Sequence, residues 1–148
     1  MIIEQFNSKD YSEIMKVWES SVLETHHFLK DEDFEYFKEV IPRDYLPNLN
    51  IYVLIENGLK AFLAYNNNQL EMFFVDAESR GKGFGRILIK YAIDHLNIKY
   101  VDVNEQNEQA IGFYKKFGFS QFRMSLRDSS GREYPILHLS LQKDKNKD

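Results

Sequence analysis

The run Arg80-Gly81-Lys82-Gly83-Phe84-Gly85-Arg86 sets three glycines on alternate positions among three cations. Phe84, Ile87, Leu88, Tyr91, Ala92, His95 and Leu96 follow at helical spacing, so the glycines stand at a helix mouth. The first N–H groups of a helix have no intrahelical partner and lie at the positive end of its dipole, which makes them an anion site once side chains are out of the way. The chain carries a formal net charge of −4, so this cationic turn is a local exception that a phosphate-bearing ligand would explain. A P-loop needs Ser or Thr after Gly-Lys, and Gly83 follows Lys82 here. A dinucleotide fingerprint needs a third glycine where Arg86 stands, although Glu105 supplies an acidic residue about twenty positions on. A glycine-rich turn with no ligand is the bland alternative; it leaves the cations unexplained.

The elements that must position this turn read off in order. Residues 1–6 make a short strand. Ser8 is expected to cap a helix with Ile14, Val17, Trp18, Ser21 and Val22 on its apolar side, running into Glu24-Thr25-His26-His27-Phe28-Leu29. Asp31 is expected to cap a second helix with Phe34, Phe37, Lys38 and Ile41 on one side, stopped by Pro42. Residues 43–50 read as a loop. Strands 51–55 and 61–65 flank Asn57-Gly58, a strong hairpin signal. Strand 70–75 leads into the glycine turn and helix, and strand 99–103 follows. Asn107 caps a helix through Phe117, with Ala110, Phe113, Tyr114 and Phe117 on one face and Gly118 as its stop. Strands 120–127 and 134–141 are joined by Asp128-Ser129-Ser130-Gly131. This order describes a mixed α+β sheet with a crossover at the glycine helix. A Rossmann domain would alternate strand and helix throughout.

Arg80-x-x-Gly83-x-Gly85 after a strand resembles the acyl-CoA loop of the GCN5-related N-acetyltransferases, the GNAT superfamily. Asn107-x-x-Ala110-x-x-Phe113-Tyr114-x-x-x-Gly118-Phe119 resembles the family's other signature, and the element order agrees over nearly the whole chain. Thr25-His26-x-Phe28-Leu29 and the run from Val103 to Ala110 resemble the YjaB-like bacterial acetyltransferases. The resemblance implies a mostly antiparallel central sheet flanked by helices, in which strand 70–75 splays from strand 99–103. It implies acetyl-CoA as co-substrate and direct attack by a primary amine in a ternary complex. The implied cofactor contacts are Phe74, Val75, Arg80, Gly81, Lys82, Gly83, Phe84, Gly85, Arg86, Asn104, Asn107, Ala110, Phe113 and Tyr114.

Acyl transfer from a thioester also needs an acid for the leaving thiolate and a route for the amine's proton. Tyr114 is the candidate acid, since a phenol donates a hydrogen bond at neutral pH; its bland reading is a core tyrosine. Glu71 is the candidate base: by strict alternation it shares a face with Phe73 and Val75, where a carboxylate is costly unless used or paired. Its bland reading is an edge residue facing solvent. His26 is the alternative base, because imidazole titrates in the working range. His27 should point elsewhere, and His95 and His138 read as structural, so no metal site is expected. Tyr134 and Arg127 are candidates to line the acceptor pocket.

The 148 residues suffice for one domain, expected over 1–141 with a charged tail at 142–148. There is no cysteine, which excludes disulfides and thiolate chemistry and suits a reducing cytoplasm. Charge arrives too early for a signal peptide, and no long apolar run suggests a membrane span. No basic stripe suggests nucleic acid. The acceptor, a small-molecule or peptide amine, and a homodimeric state stay open, as do two other readings: a non-catalytic acyl-CoA sensor and a dinucleotide-binding module.

Overall fold

The computed structural model describes residues 1–141; the expected tail lies outside them. The elements are β1 (Ile2–Gln5), α1 (Ser12–Thr25), α2 (Asp31–Val40), β2 (Asn50–Ile55), β3 (Leu59–Asn66), β4 (Gln69–Val75), α3 (Phe84–His95), β5 (Tyr100–Asn104), α4 (Glu108–Lys116), β6 (Phe119–Ser125) and β7 (Ile136–Leu141). The strands form one sheet in the order β1-β2-β3-β4-β5-β7-β6. The crossover through α3 makes β4 and β5 parallel. A second crossover, through α4, carries the chain past the place that β7 later fills.

Local chemistry corrects several boundaries. Tyr11, not Ser8, stands at the cap of α1 and makes no side-chain cap bond. Ser8 Oγ instead accepts the Asp10 N–H at 3.0 Å, and Asp10 accepts the Ser12 N–H and hydroxyl at 3.1 and 2.7 Å. Asp31 is the first residue of α2 rather than its cap, and with Glu32 and Asp33 it sets negative charge at the positive end of the dipole. Pro42 does not stop the chain's winding. It enters a π turn, Ile41–Tyr45, then a 3-10 turn, Leu46–Asn48. Inside this continuous winding proline has no N–H to donate to the preceding turn and its ring crowds that turn, so the α-helix gives way to a wider π turn there. The continuation buries Ile41 and Leu46. Lys38 leaves the apolar side for solvent and pairs with Glu19 at 3.2 Å. The turn from β2 to β3, with Ile55 paired to Leu59, holds left-handed φ values of 55° at Asn57 and 103° at Gly58, which Asn and Gly adopt readily.

The sheet is covered on both sides. Leu63, Leu70, Leu88, Ile89 and Leu139 build the core under α3 and α4. Ile14, Val17, Trp18, Phe62 and Ala64 build the one under α1 and the π turn. Residues 61–64 of β3 are all 0% exposed, so β3 is the fixed rail from which β4 hangs. Ala64 pairs with Met72 but Tyr65 with Leu70, which leaves Glu71 with no opposite residue. This β-bulge resets the alternation. Leu70, Phe73 and Val75 all join the α3/α4 core, while Met72 and Phe74 face α1. Glu71 therefore does not simply share a face with Phe73 and Val75.

Candidate active site

β4 and β5 pair only at Gln69–Tyr100 and Leu70–Val101. Beyond that point β4 stays with β3, and β5 stays with β7. The strands splay, and a cavity of about 470 Å³ opens between them, floored by residues 70–75 of β4 and 101–104 of β5 and flanked by the start of α3 and one face of α4.

One end of the cavity is built by the loop between β4 and α3. The Ser20 hydroxyl donates to Asp76 Oδ1 at 3.0 Å and accepts the Ala77 N–H at 2.9 Å, which pins the loop to α1. Gly81 and Gly83 adopt φ of +81° and +84°, and nothing lies within 4 Å of where a Cβ would stand. The amides of Phe84, Gly85 and Arg86 precede the first intrahelical bond, from Ile87 N–H to Gly83 O at 3.1 Å. Bare backbone, amides at a helix start and the lining Arg86 fit the diphosphate of CoA. Arg80 lines the cavity, but its guanidinium is tied to α1, donating to Ser21 Oγ at 2.8 Å and pairing with Glu24 at 3.4 Å. Lys82 is exposed and outside the lining.

The other end gathers the titratable groups Tyr114, His26 and Glu71. Asn107 caps α4, its side chain accepting the Ala110 N–H at 3.2 Å, and Asn107, Ala110, Phe113, Tyr114, Phe74, Val75 and Asn104 all line the cavity. Tyr114 is 6% exposed. Burial pushes its phenol well above the ordinary value, so it stays a donor throughout the working range.

His26 also borders the cavity. Burial first, then the charges of Arg80 and His27, push its pKa down to about 4. Thr25 spends its one proton on Ser21 O at 2.8 Å, so its 2.8 Å contact with His26 Nδ1 makes that nitrogen the N–H. Nε2 keeps the lone pair on a neutral ring. His27 is exposed. Glu71 is exposed on β4; the part of its carboxyl withdrawn from water, and then the charge of Asp102, raise it above the usual carboxylate value.

A second cavity, of about 220 Å³, shares His26, Glu71, Met72, Phe74 and Asn104 with the first. Tyr134 lines it; its hydroxyl donates to Asp33 and accepts the Lys30 N–H at 3.2 Å. Arg127 lines neither cavity: it is exposed, bonded to Gly131 O at 3.0 Å and paired with Glu133 at 3.2 Å. Among the described residues, no group of three His, Cys, Asp or Glu is arranged to hold a metal, and no helix is long and apolar enough to cross a membrane.

Sequence reasoning missed Asp102 and Lys116 in the large cavity. The pattern Val101-Asp102-Val103 shows that Asp102 faces away from the α3/α4 core. It does not show that the neighbouring strand has peeled away. His138, expected to be structural, joins Asp102 Oδ1 through Nδ1 at 2.6 Å and the Ser125 hydroxyl through Nε2 at 2.7 Å.

The model described as the acetyltransferase (GNAT) family matches residues 14–119. The peptidyl-lysine N-acetyltransferase YjaB of Escherichia coli (strain K12) is 33% identical over 140 residues, covering 93% of this chain and 95% of its own length. A spermine/spermidine N(1)-acetyltransferase of Bacillus subtilis (strain 168) is 36% identical over 76 residues, 47% of this chain and 49% of its own. The solution structure of apo YjaB from Escherichia coli superposes with a TM-score of 0.83 at 32% identity, covering 97% of this chain and all (100%) of the other. With its splayed strands, bare glycine loop and capped α4, the chain belongs to the acetyltransferase (GNAT) family: an N-acetyltransferase with acetyl-CoA as its acyl donor.

Proposed function

We propose that the protein transfers an acetyl group from acetyl-CoA to a primary amine by direct attack, with the two partners entering from the two cavities. One observation carries this reading: both cavities end on the same residues, with Glu71 and His26 at the junction. Acetyl-CoA supplies an activated thioester. The amides at the start of α3, with Arg86, hold its diphosphate, and Phe74 and Val75 border its path along β4. Asn107, Ala110 and Phe113 shape the opposite wall. Tyr114 donates to the departing sulfur. Glu71 takes the amine's proton, with the neutral Nε2 of His26 as the second acceptor. A depressed pKa makes His26 the weaker base, which favours Glu71 for the proton's final position.

The named acceptors of the relatives, peptidyl-lysine and the polyamines, define the first compounds to try. A bacterial cytoplasmic setting is part of the same reading, supported by the cysteine-free sequence and by the bacterial relatives. The test is amine-dependent release of free CoA from acetyl-CoA, with the acetylated product confirmed by mass. Tight acetyl-CoA binding without release on any amine would replace the enzyme with a non-catalytic sensor.

A further inference from the structure

The smaller cavity is walled mainly by ring systems and aliphatic side chains. Trp18, Phe28, Phe37, Tyr45 and Tyr134 line it, with aliphatic side chains from α1 and the π turn between them. Phe28 lies 6.2 Å from the Tyr134 ring and 5.2 Å from that of His26, so the aromatic wall reaches the reacting junction. His26 is neutral there and adds no repulsion toward an incoming cation.

Two carboxylates border the cavity, Glu71 and Asp128. Asp128 is already engaged: its Oδ1 accepts the Ser130 N–H at 3.0 Å, the Ser130 hydroxyl at 2.6 Å and the Arg132 N–H at 2.9 Å. Arg132 is in turn spent on Asp33 at 2.8 Å and on the face of Tyr36 at 3.9 Å. Glu71 is the one of the two that both cavities share, so the reacting nitrogen is met there, while Asp128 borders the smaller cavity alone. An ammonium held among the rings, away from both carboxylates, would lose water without a matching charge, which costs far more than an apolar group in the same place. A straight alkyl stem touches such walls on few sides, and gaps forfeit dispersion contacts. A ring fills them and packs edge-to-face against the aromatic wall.

Resting on the acetyl-transfer reading, we propose that the acceptor is a monoamine carried on a compact, ring-sized apolar body, with its nitrogen at Glu71 and its body among Trp18, Phe28 and Tyr134.

Trp18 is the sole tryptophan, so its fluorescence reports occupancy of this cavity without turnover. Phenethylamine, n-butylamine, a lysine-containing peptide and spermidine are titrated against the CoA-saturated protein. Phenethylamine should bind about tenfold or more tightly than each of the others, the scale on which an apolar pocket discriminates. Phe28→Ala, in the loop between α1 and α2, should remove most of that preference. Spermidine or peptide binding as tightly, no signal from phenethylamine, or an unchanged preference in Phe28→Ala overturns the proposal. CoA release is read in parallel. Transfer to spermidine or the peptide beside such a result leaves acetyl transfer standing. Phenethylamine binding without transfer to any amine fails acetyl transfer and leaves the pocket assignment standing.

Discussion

Asp102 stands across the splayed strands from Glu71, and its charge adds to burial in holding the Glu71 carboxyl above the usual carboxylate range. A base works only when ionised. If Glu71 accepts the amine's proton, kcat/KM must fall as pH drops through this raised value. Asp102→Asn removes the like charge and should move the acid limb to lower pH. Glu71→Gln should abolish the limb and lower turnover by roughly 10² to 10⁴-fold. Both variants should keep CoA affinity. A limb unmoved in both would take the proton away from Glu71.

The two central glycines of the turn should fail differently. Gly83 sits at φ +84° with open space around its Cβ position. Gly83→Val should cost about 1–2 kcal/mol for the left-handed backbone and remove CoA binding by blocking the amides. A Cβ on Gly85 would meet Phe113 Cε1 and Val75 Cγ2 at 3.5 Å. Alanine fits there, whereas the branches of Gly85→Val must displace one of those side chains. Calorimetry with CoA and melting curves separate the two. Unchanged CoA affinity in both variants would end the diphosphate assignment.

The legible parts of this site are those whose signals are local. Alternating glycines, the Asn107 cap and the face carrying Ala110, Phe113 and Tyr114 follow from spacing along one segment, and the structure brings them onto one cavity. Asn57-Gly58 set its hairpin for the same reason. What depends on pairing between segments was hidden. Alternation put Glu71 beside Phe73, but a bulge against β3 shifts the phase there. Arg80 looks like a free phosphate ligand until α1 brings Ser21 and Glu24 to it. Pro42 looked like a stop because a wider turn needs tertiary burial of Ile41 and Leu46 to sustain it.

His26 should make folding pH-dependent. Its pKa falls from about 6.5 unfolded to about 4 folded, so the unfolded chain binds more protons between those values. Stability then rises with pH across this window, is fully present above it, and is lost as pH falls from about 6.5 toward 4. His26→Gln cannot titrate, so the difference in Tm between wild type and variant should shrink in the wild type's disfavour as pH drops. A difference constant from neutral to acidic pH would mean that His26 is not held neutral by its surroundings.

Tyr114 is the sharpest test of the chemistry, because its hydroxyl and its ring do separable work. The ring packs at 5.4 Å from Phe113, 5.8 Å from Phe119 and 6.3 Å from Phe73. Tyr114→Phe keeps that packing, and the Tyr114 hydroxyl bonds to no protein group among the described residues, so Tm should hardly change. Thiols ionise near pH 8.5, so thiolate leaves tolerably well unaided and the hydroxyl should matter without being absolute. General acid catalysis is worth about 10² to 10⁴-fold, roughly 3 to 5 kcal/mol of barrier. The expected signature is a kcat loss of that order with CoA affinity and the melting curve intact. An acyl donor with a better leaving group than the CoA thiol needs less protonation and should suffer less. Near wild-type turnover in Tyr114→Phe, with chemistry rate-limiting, would return Tyr114 to the core and leave sulfur protonation to solvent or another group.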